Sequence, residues 1–159
     1  MAKKSKKISV SVDKLVYAGI ALLALVALCL IFAPAVTLDY ALLTGTYKGT
    51  EVVFGLEDSF AFSFMNLLTY LLLLGGVVMY ALKLAGAKSK LFDLLGAGLL
   101  IAAGVLFFFV LTFIVPANTL TETVLKNGEN HLLAGPIVSG ILCLLGGACG
   151  LCYALLGRK

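Results

Sequence analysis

Residues 94–116 read LLGAGLLIAAGVLFFFVLTFIVP, 23 consecutive positions without a charged side chain. The hydrocarbon core of a bilayer is roughly 30 Å thick and a helix rises about 1.5 Å per residue, so about 20 such residues cross it. This charge-free run continues to Thr121, and the same exclusion of Asp, Glu, Lys and Arg recurs over Leu15–Leu38, Ser59–Leu82 and Asn130–Gly157. The pattern predicts an all-α membrane protein, a four-helix transmembrane bundle forming one domain over 1–159. The helices are expected at about 14–35, 60–83, 92–115 and 134–156. Apolar interiors of this kind also remove the buried ionisable groups that mark pumps and proton relays.

The composition agrees: the 159-residue chain is 62% hydrophobic and 13% charged, a balance that a water-soluble domain would expose as large apolar patches. Charge alternates between the segments that join the stretches. On one side the Lys3–Lys7 cluster, Lys14, Lys83, Lys88, Lys90, Arg158 and Lys159 set ten basic residues against Asp13 and Asp93, a net +8. On the other, Lys48 and Lys126 meet Asp39, Glu51, Glu57, Asp58, Glu122 and Glu129, a net −4. Basic short loops stay inside, so both termini and loop 84–91 are expected in the cytoplasm, with loops 36–59 and 116–133 external. Tyr17, Tyr80 and Tyr153 then fall near cytoplasmic helix ends, where amphipathic rings suit the interface. The lysine-rich start with Ala33-Pro34-Ala35 imitates a cleavable signal peptide. Its apolar run exceeds the about 7–15 residues of a signal core, so an intact first helix is expected.

Small residues mark where helices approach, because in lipid close van der Waals contact holds a bundle together. The fourth helix carries Gly135, Ser139, Cys143 and Gly147 on one row and Gly146, Gly150 and Ala154 on a neighbouring one. Gly98 and Ala102 on the third helix, and Ala18, Ala21, Ala24 and Ala27 on the first, are the expected partners, with the fourth helix central. Polar residues form a second pattern. Asn66 of the second helix, Thr112 of the third and Ser139 of the fourth fall at one depth, roughly 6–10 Å below the external surface, with Ser63 one turn before Asn66 and Thr69 one turn after. Such a layer either fixes register by interhelical hydrogen bonds or lines an outward vestibule for a small polar ligand or lipid headgroup.

Val36, Leu38, Tyr40 and Leu42 alternate before Thr44–Gly49, and Glu51–Phe54 follows, which predicts a β-hairpin-like cap on the external side. Thr121–Leu125 before Asn127-Gly128 is a further strand-and-turn candidate. Cys29, Cys143, Cys149 and Cys152 lie within helices, and no loop cysteine can form a structural disulfide. His131 stands beside Glu129 and Asn130 without the further ligands a metal site requires, so no metal is expected. The Lys3–Lys7 cluster suits a topology signal, with attraction to anionic lipid as an alternative. There is no glycine-rich phosphate loop, nucleophile elbow or nucleic-acid module, so no nucleic-acid partner, catalytic residue or cofactor is expected.

Phe54-Gly55-Leu56 followed by Phe60–Tyr70 resembles a junction in uncharacterised small four-span membrane proteins of Gram-positive bacteria. The larger first loop with strand character is similar in layout to claudin-type tetraspans, whose loop tryptophans and cysteine pair are missing here. Cys149-Gly-Leu-Cys152 on the last helix resembles the thiol pair of quinone-linked oxidoreductases of the vitamin K epoxide reductase type, though at the opposite helix end. The resulting expectation is a non-enzymatic multi-pass protein of the bacterial cell membrane, an accessory or scaffold. Its expected partners are the lipid bilayer and another membrane protein or a homo-oligomer. A carrier or channel subunit for a neutral or lipid-like substrate through the Asn66 layer, and a thiol oxidoreductase using Cys149 and Cys152, are the alternatives.

Overall fold

A computed structural model describes residues 12–40 and 43–156. The Lys3–Lys7 cluster, Leu42, Arg158 and Lys159 lie outside the described residues. Four helices are long and apolar enough to cross a membrane: α1 (Val12–Cys29, extended by a 3₁₀ turn to Phe32), α3 (Phe64–Leu84), α4 (Lys90–Phe107) and α6 (Ala134–Leu156). Their main contacts run around a ring, α1 against α3, α3 against α4, α4 against α6 and α6 against α1. The fourth spanning helix is therefore one side of a square rather than its centre.

The bundle is apolar outside and close-packed inside. Leu22, Leu25, Leu71, Leu74, Leu145 and Leu155 point outward, while the buried faces carry small residues and the few internal polar ones. This is the construction of a multi-pass membrane protein: lipid covers the large aliphatic side chains and small residues let backbones meet. The α4–α6 seam is the closest. A Cβ at Gly104 would lie 3.0 Å from the Gly140 carbonyl oxygen, and one at Gly147 would lie 3.0 Å from that of Ala97. Gly135, Ser139, Cys143, Gly146, Gly147 and Gly150 are all buried, and Ala24 and Ala27 of α1 face them with Ile20. Gly98 and Ala102 do not join this seam. Both are exposed, and a Cβ on Gly98 would meet nothing within 4 Å. The inward face of α4 is instead Gly96, Ala97, Leu100, Ala103, Gly104 and Phe107.

The connecting segments α1–α3 and α4–α6 build a small sheet at one end. Strand β1 (Pro34–Tyr40) pairs antiparallel with β2 (Leu43–Lys48) on one edge and with β5 (Glu129–Leu132) on the other. A two-residue pair, β3 (Phe60–Ala61) with β4 (Val115–Pro116), ties the segment before α3 to the one that follows the 3₁₀ end of α4. The second strand expected at Glu51–Phe54 is instead a helix, α2 (Gly49–Phe54), because the Lys48 backbone N–H donates to Glu51 Oε2 at 2.8 Å and so caps a first turn. Likewise Thr121–Leu125 falls in α5 (Thr119–Asn127), not a strand. The Asn118 side chain accepts from the Thr121 backbone N–H at 2.7 Å, and Lys126 pairs with Glu122 one turn earlier. That ion pair lowers the pKa of Glu122.

The third spanning helix ends at Phe107, short of the expected 115. A turn at Phe108-Phe109 and a 3₁₀ segment, Val110–Phe113, follow. The Thr112 hydroxyl, which donates to the Phe109 carbonyl at 2.5 Å, bonds locally in place of continuing the helix.

The seam makes a direct prediction. Gly147→Ala should cost about 1–3 kcal/mol through overpacking against Ala97 and Ile101. Gly98→Ala, into open space within a helix, should be neutral or stabilising by about 0.5–1 kcal/mol. Thermal unfolding in mild detergent distinguishes the two, and equal effects would disprove the assigned faces.

Candidate functional site

The expected polar layer divides into two sets. Ser63, Asn66, Thr69 and Ser139 are buried, whereas Thr112 is exposed and bonded only to its own turn. Ser63 and Asn66 serve the break in α4. Ser63 Oγ donates to the Phe113 carbonyl at 2.6 Å and accepts from the Asn66 backbone N–H, and Asn66 Nδ2 reaches the Val110 carbonyl at 3.5 Å. Ser139 Oγ donates across to the Ala27 carbonyl at 3.1 Å, joining α6 to α1, and Thr69 bonds back to Met65. The layer therefore completes interrupted backbone rather than converging on an open vestibule. Asn66 is fully buried, and its Oδ1 is left without a donor.

The opposite end of the bundle holds a site that the charge-free reading missed. Lys83, in the last turn of α3, and Asp93, in the first turn of α4, form an ion pair at 2.9 Å with both side chains about 95% buried. Both were assigned to the cytoplasmic flanks, yet each continues an inward helix face. Lys83 lies one turn beyond Tyr80 and two beyond Gly76, and Asp93 one turn before Gly96 and Ala97. That spacing was the available signal.

The intervening turn is built to bring them together. The Ala87 N–H donates to the Leu82 carbonyl and the Gly86 N–H to the Lys83 carbonyl, with Gly86 at φ +107°, the left-handed cap that glycine adopts without strain. Ser89 then caps α4, and its carbonyl accepts from Lys83 Nζ at 3.2 Å. Opposite charges also suit the helix ends they occupy, a cation at a C-terminus and an anion at an N-terminus.

Three tyrosines enclose the pair. Lys83 Nζ lies 5.2 Å from the centre of the Tyr17 ring, within cation–π range. Tyr17 packs edge-on against Tyr153 at 5.5 Å and beside Tyr80 at 6.2 Å. Tyr80 is wholly buried, its hydroxyl donating to the Asp93 carbonyl at 3.4 Å in space that Gly150 leaves by lacking a side chain. The Tyr153 hydroxyl donates to Asp13 Oδ1. The three tyrosines expected at these helix ends gather beside the ion pair, Tyr80 wholly buried and Tyr17 and Tyr153 half-buried. Beside it opens a cavity of about 220 Å³, lined in part by Lys14, Tyr17, Lys83, Lys88, Lys90 and Asp93.

No protein-family model, curated protein or solved structure matches the chain. The role of the pair rests on its own geometry.

The remaining candidates are dispersed. Cys143 is buried in the core of the bundle, whereas Cys29, Cys149 and Cys152 are exposed on helix surfaces, all as free thiols. Cys149 and Cys152 line an apolar groove with Val16, Tyr153 and Leu156. His131 is exposed on β5, opposite Thr37. Among the described residues no three His, Cys, Asp or Glu side chains gather as a metal site would require.

Removing one member of a buried pair strands the other charge, whereas replacing both with apolar residues need cost little. Lys83→Met should destabilise the protein by about 3–5 kcal/mol, and Lys83→Met with Asp93→Leu should recover most of that loss. Thermal unfolding of the three proteins in one detergent measures both. A single variant as stable as the parent would show that the pair holds nothing together.

Proposed function

We propose that the chain is a non-enzymatic multi-pass protein of a bacterial plasma membrane, with both termini and the α3–α4 turn cytoplasmic and the sheet external, acting as an accessory or scaffold for another membrane protein. The observation that carries this reading is how the interior polar side chains are used. Ser63, Asn66 and Ser139 are spent on backbone carbonyls of neighbouring segments, and the glycine seam closes the space between α4 and α6. A sealed bundle of this kind offers its surfaces to partners rather than a path to solutes. Its most individual surface is the sheet end, where α5 presents Leu120 outward at 58% exposure.

The orientation follows from the charge sorting, ten basic residues against two acidic ones on the side of the α3–α4 turn. In a variant with its native cysteines replaced, a single cysteine at position 48 should react with an impermeant maleimide in intact cells. One at position 88 should react only after lysis. The reverse result would invert the topology, and equal reaction at both sites would refute membrane spanning. Gentle extraction of tagged protein should co-purify a stoichiometric membrane partner, which deletion of α5 should release; recovery of the chain alone would argue against a scaffold.

One observation keeps a carrier for a small neutral molecule as a second reading: the unpartnered Oδ1 of buried Asn66. Asn66→Ala with unchanged protein level should then abolish uptake of that solute, and normal growth and uptake would end that reading.

A further inference from the structure

The lysine-lined cavity has three properties that together describe an occupant. Its walls carry Lys14, Lys83, Lys88 and Lys90 against Asp13 and Asp93, a surplus of two positive charges. Lys83 and Asp93 neutralise each other, so the positive surplus comes from the exposed lysines around them, Lys14 and Lys90 among them, less the charge of Asp13. Among the described residues, neither Lys14 nor Lys90 forms an ion pair. A phosphate-bearing group suits that surplus.

The second property is an orphan acceptor. Asp93 is 4% exposed; Oδ2 takes the Lys83 ammonium, while Oδ1 is buried without a hydrogen-bond donor. A buried carboxylate oxygen left unpaired is costly. Because Lys83 already balances the charge and Asp93 lines the cavity, a neutral donor such as a hydroxyl satisfies this oxygen once the carboxylate turns toward the opening. The cavity, at about 220 Å³, is smaller than the roughly 300–1,000 Å³ of a drug-sized site, and so fits a headgroup.

The third property separates a lipid from a soluble phosphate ester. Tyr153 lines both this polar cavity and the apolar groove of about 370 Å³ formed by Val16 of α1 with Cys149, Cys152 and Leu156 of α6. A polar cavity and a shallow apolar groove that meet at Tyr153 match the two parts of an amphiphile. Leu15 and Leu155, both more than two-thirds exposed, extend the apolar border.

We propose that this end of the bundle binds one anionic phospholipid with a hydroxyl-bearing headgroup, of the phosphatidylglycerol class. Lys14, Lys88 and Lys90 hold the phosphodiester, a headgroup hydroxyl donates to Asp93 Oδ1, and one acyl chain lies along the Val16–Cys152 groove. The proposal rests on the membrane-spanning reading but not on which face the lysines occupy, so the maleimide labelling above tests that reading separately.

The test uses the full chain in mild detergent, followed by native mass spectrometry and thermal unfolding. Four probes are added: dioleoyl phosphatidylglycerol, dioleoyl phosphatidylmethanol (equal in charge, lacking the hydroxyls), dioleoyl phosphatidylcholine and glycerol phosphate. One phosphatidylglycerol should be retained, more tightly than phosphatidylmethanol, and phosphatidylcholine should bind weakest. Each of Lys14→Gln, Lys88→Gln and Lys90→Gln should weaken phosphatidylglycerol about fivefold, the worth of one basic residue beside an anionic lipid. Cys152→Phe should block the groove and weaken every lipid alike. Equal retention of all three lipids, or a triple glutamine variant that still prefers phosphatidylglycerol, would overturn the site. Equal binding of phosphatidylmethanol would remove the Asp93 contact. Stabilisation by glycerol phosphate as strong as by the lipid would reassign the cavity to a soluble phosphate ester.

Discussion

In hydrocarbon no water completes an interrupted helix, and this fold answers that constraint where α4 stops. A carbonyl left open in the apolar layer is so unfavourable that a span must either continue or be met by other protein groups. Helix α4 stops at Phe107, and Ser63 and Asn66 of α3 supply donors to the Phe113 and Val110 carbonyls beyond it. Helix α3 ends in a glycine-capped turn whose last carbonyls are taken by Gly86 and Ala87. At both of these ends protein groups take the open carbonyls.

The sheet extends the same logic past the helix ends. Strand β1 follows the end of α1 and is flanked on both edges, by β2 and by β5, so neither edge of this central strand is left open. Gly49 and Gly135 let the sheet-end segments sit down on the helices. A Cβ at Gly135 would lie 2.6 Å from the Pro34 carbonyl oxygen, and one at Gly49 would meet both Ile31 and the Tyr70 hydroxyl. With Tyr47 edge-on to Phe60 at 4.6 Å, the sheet is packed onto the bundle as an integral layer.

The spans were legible because a run of twenty apolar residues has few other solutions, and the buried small residues of α6 were legible from their spacing. Rotation was harder to read. Gly98 and Ala102 offered the familiar small-residue spacing, yet α4 turns Gly96, Ala97 and Gly104 inward, a choice that depends on what α3 and α6 present. The short helices α2 and α5 were obscured by Val52, Val53 and a threonine-rich stretch, residues that favour strands. Their capping signals, Glu51 three residues after Lys48 and Thr121 three after Asn118, outweighed that preference. Lys83 and Asp93 were hidden for another reason. Beside a turn, a charge is ordinarily a solvated flank, and only continuity with the faces of Tyr80 and Gly96 marks these two as interior.

That ion pair also bears on how the chain enters a membrane. Its partners are ten residues apart on either side of one tight turn, so they can meet as soon as α3 and α4 have both been made, before α6 exists. The two helices can then pack against each other with both charges already neutralised. Around this hairpin α1 covers one flank and α6 the other, the latter through the glycine seam.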